Sequence, residues 1–187
     1  MSELESFALP LLRALIRWPG DRRLLSIEDQ CILAAWATLR TMIFETQFPR
    51  GRRYFLQSER ESFRETIEPP PNFYIWLALR LAGSKRFWPL WFRASKFLAT
   101  GQKENAGLHI ATFAVGHLTF EFVAWRGLPT PPIDLEGLST RSDWSDSTVP
   151  IWPNPAPYLR WPAKKNLTEA ALEEMSYRFM PPESLRL

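Results

Sequence analysis

The amino-acid sequence predicts an α+β fold in which N-terminal helices pack on a three- to four-stranded antiparallel sheet. A Pro/Trp-rich C-terminal arm and a terminal helix follow this sheet. In the first third of the chain, apolar residues recur at the spacing of helices. Near residue 72 the apolar period changes to every second residue, which is the pattern of strands. Residues 127–166 then hold eight prolines without any strong period.

The first helix is predicted from a capping box and an apolar face. Ser2 and Glu5 have the three-residue spacing of such a box, and apolar residues follow the helical period to Ile16. Pro10 falls inside this pattern and removes one backbone hydrogen bond. We therefore expect either a kink or a late helix start at Pro10, and a helix end before Pro19.

The second and third helices are predicted in the same way. Ser26 is the expected N-cap of a largely apolar helix that runs to about Phe48. This helix is expected to be the central core helix, and Cys31 within it to be a buried, inert thiol. Ser58 and Glu61 form a second capping-box pattern, which predicts a short helix to about residue 68.

Two strands are predicted from alternation. Residues 72–82 alternate apolar residues with a second set that includes Tyr74 and Trp76, so these aromatics are expected on the less buried face. Residues 87–99 are rich in aromatics and read as another strand. Pro89 confines that strand to an edge or a bulge.

A hairpin is predicted for the next segment. Residues 108–115 and 118–125 read as two strands joined around Gly116. Glu121 alternates with Phe120, which places it on the opposite face of the sheet. We expect Glu121 to be an outward, solvated charge, although an inward carboxylate would have a raised pKa and could act as a general acid or base.

The chain divides into a predicted core domain, residues 1–126, and an arm with a terminal helix, residues 127–187. Disordered segments rarely carry large aromatics, yet three tryptophans lie in the arm. We therefore predict that the arm is extended and packed on the core. Thr168 is the expected N-cap of the terminal helix. The tryptophans in question are Trp144, Trp152 and Trp161.

The composition offers few groups for catalysis or metal binding. The chain has one cysteine and two histidines among 187 residues, but nine tryptophans and 17 prolines. His109 and His117 are separated by about 16 Å in a hairpin, or about 26 Å in one strand, so they cannot hold one ion. Patterns typical of phosphate loops, zinc sites or nucleophile elbows do not occur. The sequence predicts no catalytic residue, no metal site and no cofactor.

Cysteine usage and hydropathy bear on location. A single cysteine cannot form an internal disulfide, which favours a reducing compartment. The first residues are acidic where a signal peptide would be basic, and no apolar stretch approaches about 20 residues. We expect a soluble cytoplasmic protein without a membrane partner.

Charge is distributed unevenly along the chain and suggests two binding segments. The net charge is +3, and residues 1–100 hold 15 basic and 10 acidic side chains. In one segment, basic residues flank aromatic ones in a manner that suits stacking of single-stranded bases, although core packing is the competing role. A second, purely basic cluster is either solvated or bound to phosphates. The first segment comprises Arg86, Trp88, Trp91, Arg93 and Lys96, and the second comprises Arg50, Arg52 and Arg53.

The order of several segments resembles a family of uncharacterised bacterial proteins that carry an N-terminal HNH-like zinc segment. In that family the zinc segment ends in an Asn-Gly-Trp-Met-Ser-x-Leu-Glu stretch, and this chain opens with Met-Ser-Glu-Leu-Glu. No Cys or His here matches the zinc segment, so the resemblance implies no nuclease residue in this chain. The matching segments are residues 1–5, 30–45, 69–82, 116–122, 151–153 and 161–162.

Two functions are argued from the sequence, and a third, a toxin or inhibitor that acts by occlusion, is not separable from the first. The first is a non-catalytic binding or accessory module, bacterial or phage-borne, that engages protein or nucleic acid through its aromatic and basic surface. The second, implied by the resemblance, is a nuclease-related protein whose metal-binding segment is missing or supplied by another chain. The sequence leaves the oligomeric state and the identity of the partner open.

Overall fold

The computed structural model describes residues 3–48, 53–81, 90–98, 107–127 and 145–177. Within these ranges the chain forms four helices and seven strands. The helices are α1 (Glu3–Arg17), α2 (Ile27–Glu45), α3 (Gln57–Thr66) and α4 (Glu169–Tyr177). The strands are β1 (Arg23–Ser26), β2 (Phe73–Leu79), β3 (Leu90–Leu98), β4 (Gly107–Val115), β5 (Leu118–Arg126), β6 (Thr148–Trp152) and β7 (Tyr158–Trp161).

The central sheet has five antiparallel strands in the order β3-β4-β5-β2-β6. This arrangement confirms the predicted α+β class. The strand count exceeds the predicted three to four because β6, which lies in the Pro-rich arm, pairs with β2. A second sheet, not predicted, consists of β1 and β7 alone, and we call it the ribbon.

The predicted N-cap of α2 is confirmed, and α1 begins before the alternative start at Pro10. Ser26 accepts a hydrogen bond from the Asp29 backbone, and the Asp29 carboxylate accepts one from the Ser26 backbone, so Ser26 is the N-cap as predicted. Helix α1 already begins at Glu3 and continues through Pro10, so a late start at Pro10 is wrong. The predicted partner of its capping box, Ser2, lies outside the described residues.

Helix α3 begins earlier than predicted. The box of Ser58 with Glu61 does not form the cap. Instead the Glu59 carboxylate accepts a 2.9 Å hydrogen bond from the backbone N–H of Leu56, which is the N-cap residue. The helix ends at Thr66, where Ile67 adopts a left-handed conformation with φ of 58°.

One face of the sheet packs on α1 and α2 and forms the main core. Trp36 of α2 contacts Phe113 and Phe120 with ring centroids 6.1 and 5.5 Å apart. Such tilted aromatic pairs bury a large apolar area and add specific contact energy. The other fully buried side chains of this face include Phe73, Ile75, Leu77 and Phe122 from the sheet and Leu15 and Leu33 from the helices.

The second face of the sheet is also covered. Trp76 and Val123 pack there with Leu167 and Leu172, which come from the segment leading into α4 and from α4 itself. Trp76 is therefore buried, although Tyr74 on the same face of β2 is only half-buried, as expected for the less buried face. Thr168 caps α4 as predicted, because its hydroxyl accepts a 3.1 Å hydrogen bond from the backbone of Ala171.

Arg80 connects the end of β2 to two other parts of the chain. Its fully buried guanidinium donates a 3.0 Å hydrogen bond to the carbonyl of Gly116 in the β4–β5 turn and lies 3.5 Å from the Glu169 carboxylate of α4. Burial lowers the pKa of Arg80, and Glu169 opposes this shift. His117 also contacts Arg80, since its Nδ1 lies 2.9 Å from the Arg80 carbonyl oxygen.

None of the described helices is long and apolar enough to cross a membrane.

Candidate functional site

The strongest candidate site is a cleft of about 840 Å³ between the ribbon and the end of the central sheet. We call it the basic cleft. It lies where β2 ends and β6 begins, and the ribbon forms its opposite wall. Its cationic side chains are Arg22, Arg23, Arg160 and Lys164, and its apolar surface comes from Leu79, Leu81, Val149, Trp161, Pro162 and Ala163. The volume falls within the usual range for small-molecule sites.

The ribbon places two of these arginines on different faces. Arg23 pairs with Trp161 across the ladder, and Leu24 pairs with Arg160. Because side chains alternate along a strand, Arg23 and Trp161 share one face, while Leu24 and Arg160 share the other. Trp161 is only 1% exposed and Leu24 is 60% exposed, so the first face is the inner one.

A buried glutamine holds the chain before β7 beside β1. Gln30 donates a 2.7 Å hydrogen bond to the carbonyl of Ala156 and accepts a 3.0 Å bond from the backbone N–H of the same residue. The same amide nitrogen lies 3.2 and 3.0 Å from the carbonyls of Leu25 and Ser26. These bonds fix the ribbon, and with it the spacing of the cationic side chains at the cleft.

The basic cleft carries an excess of positive charge. Among its described lining residues, four are cationic and none is acidic. Two of the four are partly neutralised by neighbours, since Arg23 lies 3.8 Å from Asp21 and Lys164 lies 3.2 Å from Asp146. Within the described chain, Arg22 and Arg160 form no ion pair. Their charges are therefore available to an anion from solution.

Asp146 is neutralised by two lysines. Hydrogen bonds from Lys165 and then Lys164 lower the pKa of this carboxyl below its ordinary value. The Lys165 ammonium lies 2.9 Å from one carboxylate oxygen, and the Lys165 backbone donates a 2.7 Å hydrogen bond to the Asp146 carbonyl. This contact anchors the segment after β7 and keeps Lys164 at the rim of the cleft.

Two buried donors at the cleft have no hydrogen-bond partner among the described residues. They are Nε of Arg23 and Nε1 of Trp161, which lie on cross-strand partners of the ribbon. A buried donor without a partner costs about 1–3 kcal/mol. An acceptor atom of a bound ligand would recover that cost, which is a second indication that this cleft takes a ligand.

The predicted binding residues fall into three groups. Arg50, Arg52, Arg86 and Trp88 lie outside the described residues, and Trp91 and Lys96 lie on β3 with only their backbones described. Arg93 is half-buried on β3, where it pairs with Thr112 across the ladder. Arg53 donates hydrogen bonds of 3.1 and 2.9 Å to the carbonyls of Phe48 and Thr46, so it stabilises the chain just after α2.

Glu121 is buried, contrary to the predicted solvated position. It lies on the second face of the sheet, is 1% exposed and accepts a hydrogen bond from the hydroxyl of Thr112. Register places it in a row between Thr112 and Trp76. The alternation with Phe120 was predicted correctly, but this face is covered by α4 and the segment before it.

A second buried carboxylate lies beside a histidine. Glu45 Oε1 lies 3.6 Å from Nε2 of His109, and the two residues are 1% and 2% exposed. The same carboxylate accepts hydrogen bonds of 2.9 and 3.1 Å from the backbones of Tyr54 and Phe55. A guanidinium nitrogen of Arg60 lies 3.2 Å from Oε2 of the same Glu45 carboxylate. The group is enclosed by aromatic rings and ties the end of α2 to the segment before α3.

Sequence reasoning did not identify the basic cleft. Its residues come from positions 20–24, 79–81, 145–149 and 160–166, which are distant along the chain. The available signal was the occurrence of paired basic residues at 22–23 and 164–165 beside short apolar segments.

No group of three or more metal-ligating side chains occurs among the described residues. Comparison of the chain with family models, curated proteins and solved structures gives no match.

Proposed function

We propose that this chain is a non-catalytic binding module that engages nucleic acid at the basic cleft. The observation that carries the proposal is the set of four cationic side chains around a concave site with no acidic residue among its described lining. Cations that neutralise phosphates release condensed counterions, and this release supplies much of the affinity of proteins for nucleic acids.

The types of cation favour phosphate over other anions. Three of the four are arginines, whose planar guanidinium binds phosphate oxygens in pairs. Arg22 and Arg160 have no ion-pair partner among the described residues, so a phosphate need not displace a carboxylate to reach them.

Burial of the candidate acid–base groups supports binding rather than catalysis. The Glu45–His109 pair and Glu121 are each no more than 2% exposed, and none of them lines the basic cleft. General acid–base catalysis requires a group within hydrogen-bond reach of the substrate. The described part of the cleft instead presents permanent cations and apolar surface.

The proposal also includes origin and location. It places the protein in the cytoplasm of a bacterium or of a phage-infected cell, where nucleic acid is accessible and a single cysteine stays reduced. The nuclease-related alternative rests on the resemblance alone and stays a prediction. The surface predicted around Trp91, Arg93 and Lys96 also stays a prediction, as does a protein partner.

The test is a binding titration with a fluorescently labelled oligonucleotide of about 20 nucleotides. The double variant Arg22→Glu/Arg160→Glu should lower the affinity at least tenfold. The matched control, Arg13→Glu/Arg64→Glu, makes the same change in net charge at residues that do not line the cleft and should change affinity less than threefold. Circular dichroism confirms that both variants fold. Equal loss of affinity in both variants, or no binding by the unmodified protein, would overturn the proposal.

A further inference from the structure

The outer face of the ribbon carries an exposed aromatic ring beside a cation of the basic cleft. Tyr158 is 72% exposed, and it shares this face with Arg160 two residues later. At the usual rise of strands the two Cα atoms are about 7 Å apart along β7. Leu24, 60% exposed, faces Arg160 across the ladder. Tyr158 and Leu24 are thus exposed to solvent next to Arg160, which has no ion-pair partner among the described residues.

This exposed surface is rigidly supported. Tyr158 pairs with Ser26, which caps α2, and the two hydrogen bonds between Gln30 and Ala156 hold the chain just before β7. On the opposite face of the ribbon, Leu25 is 1% exposed and packs in the main core. Because the backbone is already ordered, only the two side-chain torsions of the ring have to be fixed on binding.

The same face continues into the basic cleft. Leu24 and Arg160 belong both to the outer face of the ribbon and to the lining of the cleft. A strand that passes over Tyr158 therefore meets Arg160 next and then enters the site lined by Arg22 and Lys164.

We propose that the ligand is single-stranded nucleic acid, with one base stacked on Tyr158 and its phosphate at Arg160. This inference rests on the proposed function and adds the strand state and the residue that selects it. A base can stack on an aromatic side chain only when it is unpaired, because the faces of paired bases are covered by their neighbours in the duplex. A duplex can offer its phosphates to the cations of the cleft but no base face to Tyr158.

The experiment compares a single strand of about 20 nucleotides with a duplex of the same length and sequence. The unmodified protein should bind the single strand at least tenfold more tightly. Tyr158→Ala should weaken single-strand binding by about five- to a hundredfold, the range for one stacked base, and leave duplex binding unchanged. Tyr158→Phe keeps the ring and should retain most of the affinity. Phe7→Ala removes a ring that is 61% exposed on α1 and serves as the matched control.

The outcomes separate this inference from the proposed function. If the duplex binds as tightly as the single strand and Tyr158→Ala has no effect, while Arg22→Glu/Arg160→Glu still weakens binding, the inference is wrong and the proposed function stands. If Phe7→Ala weakens single-strand binding as much as Tyr158→Ala, the assignment of the stacked base to Tyr158 is wrong. If neither nucleic acid binds, the proposed function is wrong as well.

Discussion

Gln30 and Ala156, which are 126 positions apart, form a reciprocal pair of hydrogen bonds. The Gln30 side chain is fully buried. Its nitrogen donates a hydrogen bond to the Ala156 carbonyl, and its oxygen accepts one from the Ala156 N–H. The same nitrogen contacts the carbonyl of Leu25 on β1. One amide thus connects the helix, the ribbon and the arm. These hydrogen bonds position β7, the strand that carries Tyr158 and Arg160.

Replacement of Gln30 by alanine should destabilise the fold strongly. Gln30→Ala removes the side-chain partner of the Leu25 carbonyl and of the part-buried N–H and carbonyl of Ala156, which should lower the free energy of unfolding by about 2–4 kcal/mol. The control is Gln57→Ala, whose side chain makes one exposed hydrogen bond to Glu61. That change should stay within about 0.5 kcal/mol. Urea denaturation followed by circular dichroism measures both, and equal stability of the two variants would contradict the role of Gln30.

Two glycines provide a matched pair for backbone strain. Gly116 has a φ of +58°, and a Cβ built there would lie 3.2 Å from Cγ2 of Ile16. Gly116→Ala should therefore cost about 1–3 kcal/mol. Gly20 has no atom within 4 Å of such a Cβ and lies outside the left-handed region. Gly20→Ala should raise stability by up to about 1 kcal/mol because it restricts the unfolded chain. A thermal melt in which Gly116→Ala unfolds no earlier than Gly20→Ala would refute this account.

Tyr54 makes the fold sensitive to alkaline pH. Burial is the main cause that raises the pKa of this phenol above its ordinary value, with Glu59 and Glu45 contributing and Arg126 opposing. A group with a raised pKa in the folded state stabilises the fold fully below its unfolded pKa, about 10 for tyrosine. That contribution is lost as pH rises above this value, by up to about 1.4 kcal/mol per pH unit.

The measurement compares Tyr54→Phe with the unmodified protein. The phenol oxygen is buried and has no hydrogen-bond partner among the described residues, so at pH 7 the variant should be as stable as the parent or more stable by up to about 3 kcal/mol. Between pH 10 and 12 the parent should lose stability faster than the variant. Parallel loss of stability in urea titrations at pH 7, 9, 10 and 11 would show that Tyr54 does not titrate as described.

Elements with local signals were predictable from the sequence. The reciprocal contact of Ser26 with Asp29, the hairpin around Gly116 and the Thr168 cap all depend on residues within a few positions of one another. Such signals do not require knowledge of the rest of the fold. The N-cap of α3 was missed because Ser58 offers a side-chain acceptor, whereas Leu56 depends on Glu59 alone.

Elements that depend on distant pairing were not predictable. Strand β1 has four residues and β6 contains Pro150, so neither has a strong period of its own. Each becomes a strand only because β7 or β2 supplies its partner. Glu121 follows the same logic. Its direction was read correctly from alternation, but its burial depends on α4, which follows much later in the chain.

The basic cleft was missed for the same reason. Arg22 and Arg160 are both charged and exposed, and single arginines of this kind are usually solvated. They become a pair only through the ribbon, whose register depends on Gln30 and on the packing of Leu25. The cationic side chains that sequence reasoning chose instead were neighbours in sequence, such as Arg50, Arg52 and Arg53.

The salt dependence of single-strand binding tests the central claim most directly. The slope of the logarithm of the binding constant against the logarithm of salt concentration should lie between about −1.4, if only Arg22 and Arg160 each neutralise a phosphate, and about −2.8, if Arg23 and Lys164 do so as well. In Arg22→Glu/Arg160→Glu the magnitude of the slope should fall by about 1.4, while Arg13→Glu/Arg64→Glu should keep the parental slope. An unchanged slope in the cleft variant, or an equal reduction in both variants, would contradict nucleic-acid binding at this site.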